Sequence, residues 1–225
     1  MINFEIKNNN FPTPCGKERQ SGRSMIEMLG VLAIICVLSV GGIAGYSKAI
    51  MKYRINKTIE QITLVAGNVR TFFANQPDGT GNNGRYKDLN ISVMKKAKLI
   101  PDEMWNENKT AMENAFGGSF SVYALSNFKS QYAIAISGIP QEACIELATK
   151  DWSNANPYLV GINVQISDAL NALHQFTYNN CTSSEGRIGY NGTNGYIACD
   201  TTMPFEKATA YCVSADNNYI DLAFH

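Results

Sequence analysis

The stretch that decides the fold is MLGVLAIICVLSVGGIAGY, residues 28–46, which carries no charged side chain over 19 positions. At about 1.5 Å of rise per residue, a helix of this length nearly crosses a hydrocarbon core of about 30 Å. Residues 1–22, MINFEIKNNNFPTPCGKERQSG, come before it and are polar, with prolines and a glycine that oppose helix formation. The sequence therefore predicts a membrane helix behind a polar leader.

The helical pattern continues beyond the apolar run. Apolar side chains recur there at steps of three and four residues: Ile55, Ile59, Ile62, Ala66, Val69 and Phe73. This periodicity predicts one continuous helix from about Ser24 to about Ala74, roughly 75 Å long. A helix of that length is too long to be buried in a domain of this size, so we expect its first half to project. Gly41, Gly42 and Gly45 indicate either a point of bending or a surface where neighbouring helices approach closely.

One carboxylate, Glu27, lies at the edge of the apolar run, and the next charged residue is Lys48. A charge in that setting is costly and usually functional. A local explanation also exists, because Arg23 lies four residues earlier on the same helical face. A carboxylate near a helix N-terminus also interacts favourably with the helix dipole. Glu27 alone therefore does not identify a function.

The order of these elements is more specific than any one of them. Residues 21–29, SGRSMIEML, place a glycine, four residues, a glutamate and then a long apolar helix in succession. This order resembles the type III signal of type IV prepilins, and the resemblance extends from about Gly22 to about Phe73. It implies the α+β pilin fold, in which a long N-terminal helix, half of it transmembrane, packs on a small antiparallel sheet. The C-terminal region of that fold is bounded by a disulfide.

The resemblance also implies how the chain is processed. In prepilins the prepilin peptidase cuts after the glycine, and the new N-terminal amine is then methylated. Carried over to this chain, cleavage falls between Gly22 and Arg23, and Arg23 becomes the methylated residue. The chain departs from the family here, because an apolar residue is usual at the position of Arg23. The resemblance further implies that Glu27 pairs with the Arg23 amine of an adjacent subunit, since an unpaired carboxylate in an apolar filament core would be strongly disfavoured.

The resemblance divides the chain into three parts. Residues 1–22 are the prepilin leader, residues 23–46 the transmembrane and polymerisation helix, and residues 47–225 a periplasmic or extracellular globular domain. The long leader and the cysteine pattern favour the type IVb branch. We expect a single-pass precursor in the bacterial inner membrane and a mature subunit in an extracellular pilus. The implied partners are further copies of the chain in a helical homopolymer, the prepilin peptidase, the membrane and the inner-membrane pilus assembly machinery, with a surface receptor that the sequence does not identify.

The globular part contains several local patterns. Residues 75–86 predict a loop, which lacks the Gly-Lys-Ser/Thr ending of a phosphate-binding loop. The other patterns are a short helix or turn at 89–99, a hairpin of 119–125 with 131–137, helices at 140–152 and 204–212, and a final strand at 219–224. Residues 158–178 are compatible with either a strand or a helix.

Four of the six cysteines follow the apolar run: Cys144, Cys181, Cys199 and Cys212. An even set suits two disulfides in an oxidising compartment, and four cysteines allow three pairings. The resemblance to type IVb pilins implies that Cys144 pairs with Cys212 and encloses a second bridge between Cys181 and Cys199.

Composition and spacing argue against several other functions. Lysine plus arginine equals aspartate plus glutamate at 19 each, so no nucleic-acid partner is predicted. His174 and His225 are far apart, no Cys-x-x-Cys pair exists, and no nucleophile motif accompanies either histidine, so we predict no metal, no cofactor and no enzymatic activity.

The main expectation is therefore a pilus subunit that serves adhesion, aggregation or conjugation. Two other functions stay open, a pseudopilin of a type II secretion system and a monomeric single-pass protein with a periplasmic binding domain. An ordinary secretory signal is a further alternative, because the small residues Gly42 and Ala44 resemble a cleavage site.

Overall fold

The structure is a computed structural model, and it describes residues 25–77, 84–125, 131–152, 158–166, 187–188, 195–199, 202–214 and 217–225. These residues fall into two compact units, and the boundary lies between Tyr46 and Ser47. The first helix, α1 (Met25–Phe73), contributes residues to both units. Its bounds confirm the predicted helix to within one residue at each end.

The described part of the second unit adds short helices. They are α2 (Ile91–Lys96), α3 (Gln141–Thr149), α4 (Phe205–Tyr211) and two 3₁₀ helices, Gly84–Tyr86 and Asp102–Met104. The side chain of Asn90 caps α2 by accepting the N–H of Val93 at 3.0 Å. Pro140 and Pro204 come directly before α3 and α4, and proline lacks the N–H that a helix start would leave unpaired.

Seven strands among the described residues form one antiparallel sheet. They are β1 (Met112–Glu113), β2 (Ser119–Ala124), β3 (Tyr132–Ile139), β4 (Leu159–Ile166), β5 (Arg187–Ile188), β6 (Gly195–Cys199) and β7 (Asn218–Phe224). Their order across the sheet is β1-β2-β3-β7-β4-β6-β5. The strand β7 therefore lies at the centre, where it pairs with both β3 and β4 and joins the β2–β3 hairpin to the rest of the sheet.

The part of α1 that belongs to the second unit buries one stripe against the core. The buried apolar residues of that stripe are Ile55, Ile62, Val65, Ala66, Val69 and Phe73. Alternation along β7 turns Ile220, Leu222 and Phe224 into the same core. The buried hydroxyl of Tyr132 on β3 donates to the carbonyl oxygen of Ala66 at 2.9 Å, which fixes the sheet to the helix.

A series of aromatic rings connects the end of α1 with the centre of the sheet. Ring centroids lie 5.5 Å apart for Phe73 and Tyr86, 4.7 Å for Tyr86 and Tyr132, and 5.5 Å for Tyr132 and Phe224. Favourable aromatic pairs at such separations contribute about 0.5–1.5 kcal/mol each beyond the area they bury. The series ties α1, β3 and β7 into one core.

A disulfide joins α3 to the residue that follows α4. Cys144 is bonded to Cys212, with their Cα atoms 5.8 Å apart, as the resemblance to type IVb pilins implied. The side-chain amide of Gln141 also donates to the carbonyl oxygen of Cys212 at 2.8 Å. Both cysteines are buried in the same core as the apolar stripe of α1, so the disulfide links α3 to the end of α4 inside that core.

The tight turn between β1 and β2 depends on Asn114 and Gly118. The Asn114 side chain donates to the carbonyl oxygens of Ser119 at 3.2 Å and Ser137 at 2.8 Å. A Cβ atom on Gly118 would lie only 1.9 Å from the Ser137 carbonyl oxygen. Glycine is therefore required at this position by the close approach of β3.

The predicted hairpin, the two later helices and the final strand are confirmed in type. The α3 helix ends at Thr149, before the predicted end at residue 152, because Trp152 turns inward and donates to the Leu147 carbonyl oxygen at 3.0 Å. Residues 159–166 form the strand β4, while residues 167–178 of the ambiguous stretch lie outside the described residues. The predicted loop ends in the 3₁₀ helix Gly84–Tyr86, and its residues 78–83 also lie outside them.

Candidate assembly site

In the first unit, α1 has apolar side chains on all its sides. Those with at least half of their surface exposed are Met25, Ile26, Met28, Leu29, Val31, Leu32, Ile34, Ile35, Val37, Leu38, Val40, Ile43 and Tyr46. In the described parts of the chain, α1 is the one helix that is long and apolar enough to cross a membrane. A helix that is apolar all round needs lipid or other helices around it. This surface is therefore built to be covered by something outside the unit.

Glu27 is the exception on this surface. It lies in the first turn of α1, is exposed, and forms no hydrogen bond or ion pair with any described residue. Between Met25 and Tyr46 every other side chain is uncharged. Covering the apolar surface would remove water from a carboxylate, and that is strongly unfavourable unless a cation or several donors replace the water. Glu27 is therefore a site at which one positive group can bind when the apolar surface is covered.

The glycines of the first unit leave the helix surface open. The helix is unbroken through Gly41, Gly42 and Gly45, and a Cβ atom on any of them would meet no described atom within 4 Å. Packing against the described residues therefore does not require glycine at these positions. Small residues on a membrane helix allow another helix to approach closely.

A second carboxylate, Asp221 on β7, lies in the globular unit and is fully buried. The hydroxyls of Tyr123 on β2 and Tyr219 on β7 each donate to its Oδ1 at 3.0 Å. The side-chain amide of Asn163 on β4 donates to its Oδ2 at 3.4 Å. This cluster lies on the sheet face opposite the α1 core, where the small side chain of Ala135 on β3 is the register partner of Asp221.

Burial dominates the titration of this cluster. Burial raises the pKa of Asp221 from 3.8 to about 7, against the three hydrogen bonds, which lower it. The pKa values of the Tyr123 and Tyr219 hydroxyls also rise, first through burial and then through the nearby Asp221 charge. Both hydroxyls therefore stay protonated as donors. The cluster was not predicted from the sequence, where its only signal is a single carboxylate inside the apolar run YIDLAF, residues 219–224.

The family model described as PilS N terminal matches residues 52–223, more than half of the chain. The chain belongs to this family of type IV pilins. The pilin is therefore a structural subunit that self-assembles into a pilus, and it is not an enzyme. The match begins after the apolar run and covers most of the globular unit. For residues 22–51, the assignment to pilins depends on the sequence motif alone.

One solved structure similar to the pilin is the crystal structure of TcpA, a type IV pilin from the Vibrio cholerae El Tor biotype. The two chains are 13% identical, the alignment covers 77% of this chain and 99% of that chain, and the TM-score is 0.45. No curated protein matches the pilin in sequence.

The structure places only some of the predicted site residues of the pilin. Gly22 and Arg23 lie outside the described residues, so the cleavage and methylation sites stay predictions. Cys181 lies outside them as well, and Cys199 is on β6, so their predicted bridge is not described. Among the described residues, no group of three or more His, Cys, Asp or Glu side chains is placed to hold a metal ion.

Proposed function

We propose that the chain is a type IVb prepilin that is cut between Gly22 and Arg23 by the prepilin peptidase and methylated at Arg23. Residues 1–22 are the leader, residues 23–46 the membrane and polymerisation helix, and residues 47–225 the globular domain. The precursor waits in the bacterial inner membrane as a single-pass protein. The inner-membrane assembly machinery then adds the mature subunit to an extracellular pilus that serves adhesion, aggregation or conjugation.

The observation that supports this proposal is the exposed Glu27 in residues 25–46 of α1, a segment whose other side chains are all uncharged. Assembly would bury this helix among the helices of other subunits, where a single unpaired charge costs about 3–5 kcal/mol. Cleavage after Gly22 creates a positive amine at Arg23, four residues from Glu27. We assign the partner of Glu27 to the Arg23 amine of the adjacent subunit. The leader thereby blocks assembly, because the α-nitrogen of Arg23 is in a peptide bond and carries no charge before cleavage.

The first test is peptide mass mapping of the N-terminus in membrane and sheared-surface fractions of the native host. The expected terminus is Arg23, with one methyl group in the surface fraction. An intact leader in that fraction, or a terminus beyond Ala44, would contradict the proposal. The second outcome would instead support an ordinary secretory signal.

The second test replaces Glu27 by glutamine, which keeps the size and removes the charge. We expect normal amounts of Glu27→Gln protein in the membrane fraction and a loss of at least tenfold in sheared pili. The matched control is Glu60→Gln, which neutralises an exposed glutamate on the same helix whose ion pair with Lys57 is a surface one of 3.4 Å. Equal pilus yields from the two variants would remove Glu27 from the assembly mechanism.

A further inference from the structure

The globular unit contains a surface pocket of about 380 Å³ formed by residues between 95 and 109. Ile100, Pro101 and the half-buried ring of Trp105 form its apolar wall. Three ammonium groups and one carboxylate complete the lining: Lys95, Lys98, Lys109 and Asp102. We call these seven residues the lysine pocket. The whole chain has no net charge, so the pocket concentrates positive charge locally.

The charges of the lysine pocket are poorly neutralised. No described residue pairs with the Lys98 ammonium group. The Lys109 ammonium lies 3.4 Å from Asp102 Oδ1, but both side chains are exposed, and such pairs contribute little in water. The neighbouring Glu103 carboxylate is turned towards Lys57, at 2.7 Å, and does not line the pocket. An anion that enters the pocket would thus find free positive charge.

The walls of the pocket are held in place by hydrogen bonds. The Lys95 ammonium donates to the Lys109 carbonyl oxygen at 2.9 Å and lies 5.8 Å from the centre of the Trp105 ring. The Asn106 side chain accepts the N–H of Thr110 at 2.8 Å and fixes the turn that carries Lys109. A site that is ordered before its ligand arrives loses less entropy on binding.

The backbone conformation of two of these lysines is a second, independent observation that points to a functional site. Lys98 and Lys109 have φ angles of +52° and +50°, and they are the described non-glycine residues with positive φ. The Leu99 N–H donates to the Met94 carbonyl oxygen, and the Lys98 N–H donates to the Lys95 carbonyl oxygen. These two bonds form the Schellman motif at the end of α2, in which glycine is usual at the position of Lys98. Lysine in this conformation is less stable than glycine. Strained residues of this kind cluster at functional sites, and both of them line the same pocket.

We propose that the lysine pocket binds an acidic saccharide unit, a sugar ring that carries a carboxylate or a phosphate group. The Trp105 ring offers a flat apolar surface for the ring, and the lysines offer charge-assisted hydrogen bonds to the anion. Asp102 accepts hydrogen bonds from hydroxyl groups, which a sugar has and a simple aromatic acid lacks. The volume lies within the range of about 300–1,000 Å³ typical of small-molecule sites. The site is complete in one chain and does not depend on filament assembly.

The test uses the full chain in detergent micelles, labelled with ¹⁵N at tryptophan. The chain has two tryptophans, so two indole signals are expected. Trp152 is buried and does not line the lysine pocket, so its signal is the internal reference. N-acetylneuraminic acid and glucose 6-phosphate test the two kinds of acid group. Neutral N-acetylglucosamine and inorganic phosphate test the ring and the anion separately.

We expect at least one acidic sugar to move the Trp105 signal and leave the Trp152 signal in place. At equal concentration, the neutral sugar and inorganic phosphate should leave both signals unchanged. The Lys98→Gly variant should bind about tenfold more weakly, since it loses one charged hydrogen-bond partner. The same variant should melt about 2–4 °C higher, because glycine suits the backbone at this position. The matched control is Lys96→Gln on α2, an exposed lysine outside the pocket, and it should bind as the wild type does.

Three results would overturn the proposal. The first is that no acidic sugar moves the Trp105 signal at millimolar concentration. The second is that inorganic phosphate or the neutral sugar moves it as far as the acidic sugars do. The third is that Lys96→Gln weakens binding as much as Lys98→Gly, which would indicate unspecific attraction to a lysine-rich surface.

Discussion

The buried carboxylate of Asp221 predicts that the globular unit is more stable at pH 5 than at pH 8. Its pKa is about 7 in the folded chain and 3.8 in the absence of burial. Between these two values the folded state binds more protons than the unfolded state, so the free energy of unfolding falls as the pH rises. The stability of the protonated form is fully present below pH 3.8 and is lost as the pH rises through about 7.

The size of the effect follows from the same two values. The difference of about three pKa units corresponds to about 4 kcal/mol over the full range. Between pH 5 and pH 8 the free energy of unfolding should fall by about 2–3 kcal/mol, or roughly 5–10 °C in melting temperature for a domain of this size. Asp221→Asn keeps the shape and still accepts hydrogen bonds from Tyr123 and Tyr219, so it should remove most of this slope. Asp221→Ala removes the acceptor of the three hydrogen bonds from Tyr123, Tyr219 and Asn163 and should lose at least about 3 kcal/mol at both pH values.

The assay is urea unfolding of the full chain in detergent micelles at pH 5 and pH 8, with the disulfide intact. Near-ultraviolet circular dichroism reports on the packed aromatic side chains of the globular unit, whereas residues 25–46 contribute the exposed Tyr46 alone. Other titrating groups contribute equally to the wild type and to Asp221→Asn, so the difference between their slopes isolates Asp221. An equal slope for the wild type and Asp221→Asn would show that Asp221 does not cause the pH dependence of the free energy of unfolding.

Three other contacts give predictions that the same unfolding assay checks. Tyr132→Phe removes a buried hydrogen bond to the α1 backbone and should cost about 1 kcal/mol; an unchanged midpoint would show that the bond adds nothing. Replacing Cys144 and Cys212 by serine opens a link across a sequence separation of 68 residues and should cost about 4 kcal/mol, and a loss under 1 kcal/mol would contradict this. Gly118→Ala forces a methyl group against a backbone oxygen and should cost about 3 kcal/mol, whereas Gly67→Ala on the exposed face of α1 should add up to about 1 kcal/mol. Equal effects of the two alanines would contradict the close approach at Gly118.

Elements with a strong local pattern were predicted from the sequence, and those without one were not. The helix α1 and the β2–β3 hairpin have periods of about 3.6 and 2 residues, which need no knowledge of the fold. The strand β4 is buried on both faces, so its run LVGINVQI lacks the alternation that separates a strand from a helix. Strands β1 and β5 are two residues long each, too short for any period to show.

Glu27 and Asp221 also differ in whether their sequence signal is local. Glu27 was found because its signal is local, a glutamate at fixed spacing from Gly22 at the start of an apolar run. Asp221 was missed because its partners Tyr123 and Asn163 lie 98 and 58 residues away in the sequence and meet it only across the sheet. The positive φ angle of Lys98 could not be predicted from the sequence either, because the residue that usually marks such a helix end is glycine.

Glu27 and Asp221 are both carboxylates in apolar surroundings, but only Asp221 has hydrogen-bond donors among the described residues. A carboxylate taken out of water needs donors, and Asp221 finds three of them within the globular unit. Glu27 finds none among the described residues, although every side chain around it on α1 is apolar. Asp221→Ala should therefore lower the stability of the single chain, because it removes the acceptor of these hydrogen bonds. Glu27→Gln should leave the urea midpoint of the isolated chain unchanged and lower only the amount of filament, because the proposed partner of this carboxylate is the Arg23 amine of another copy.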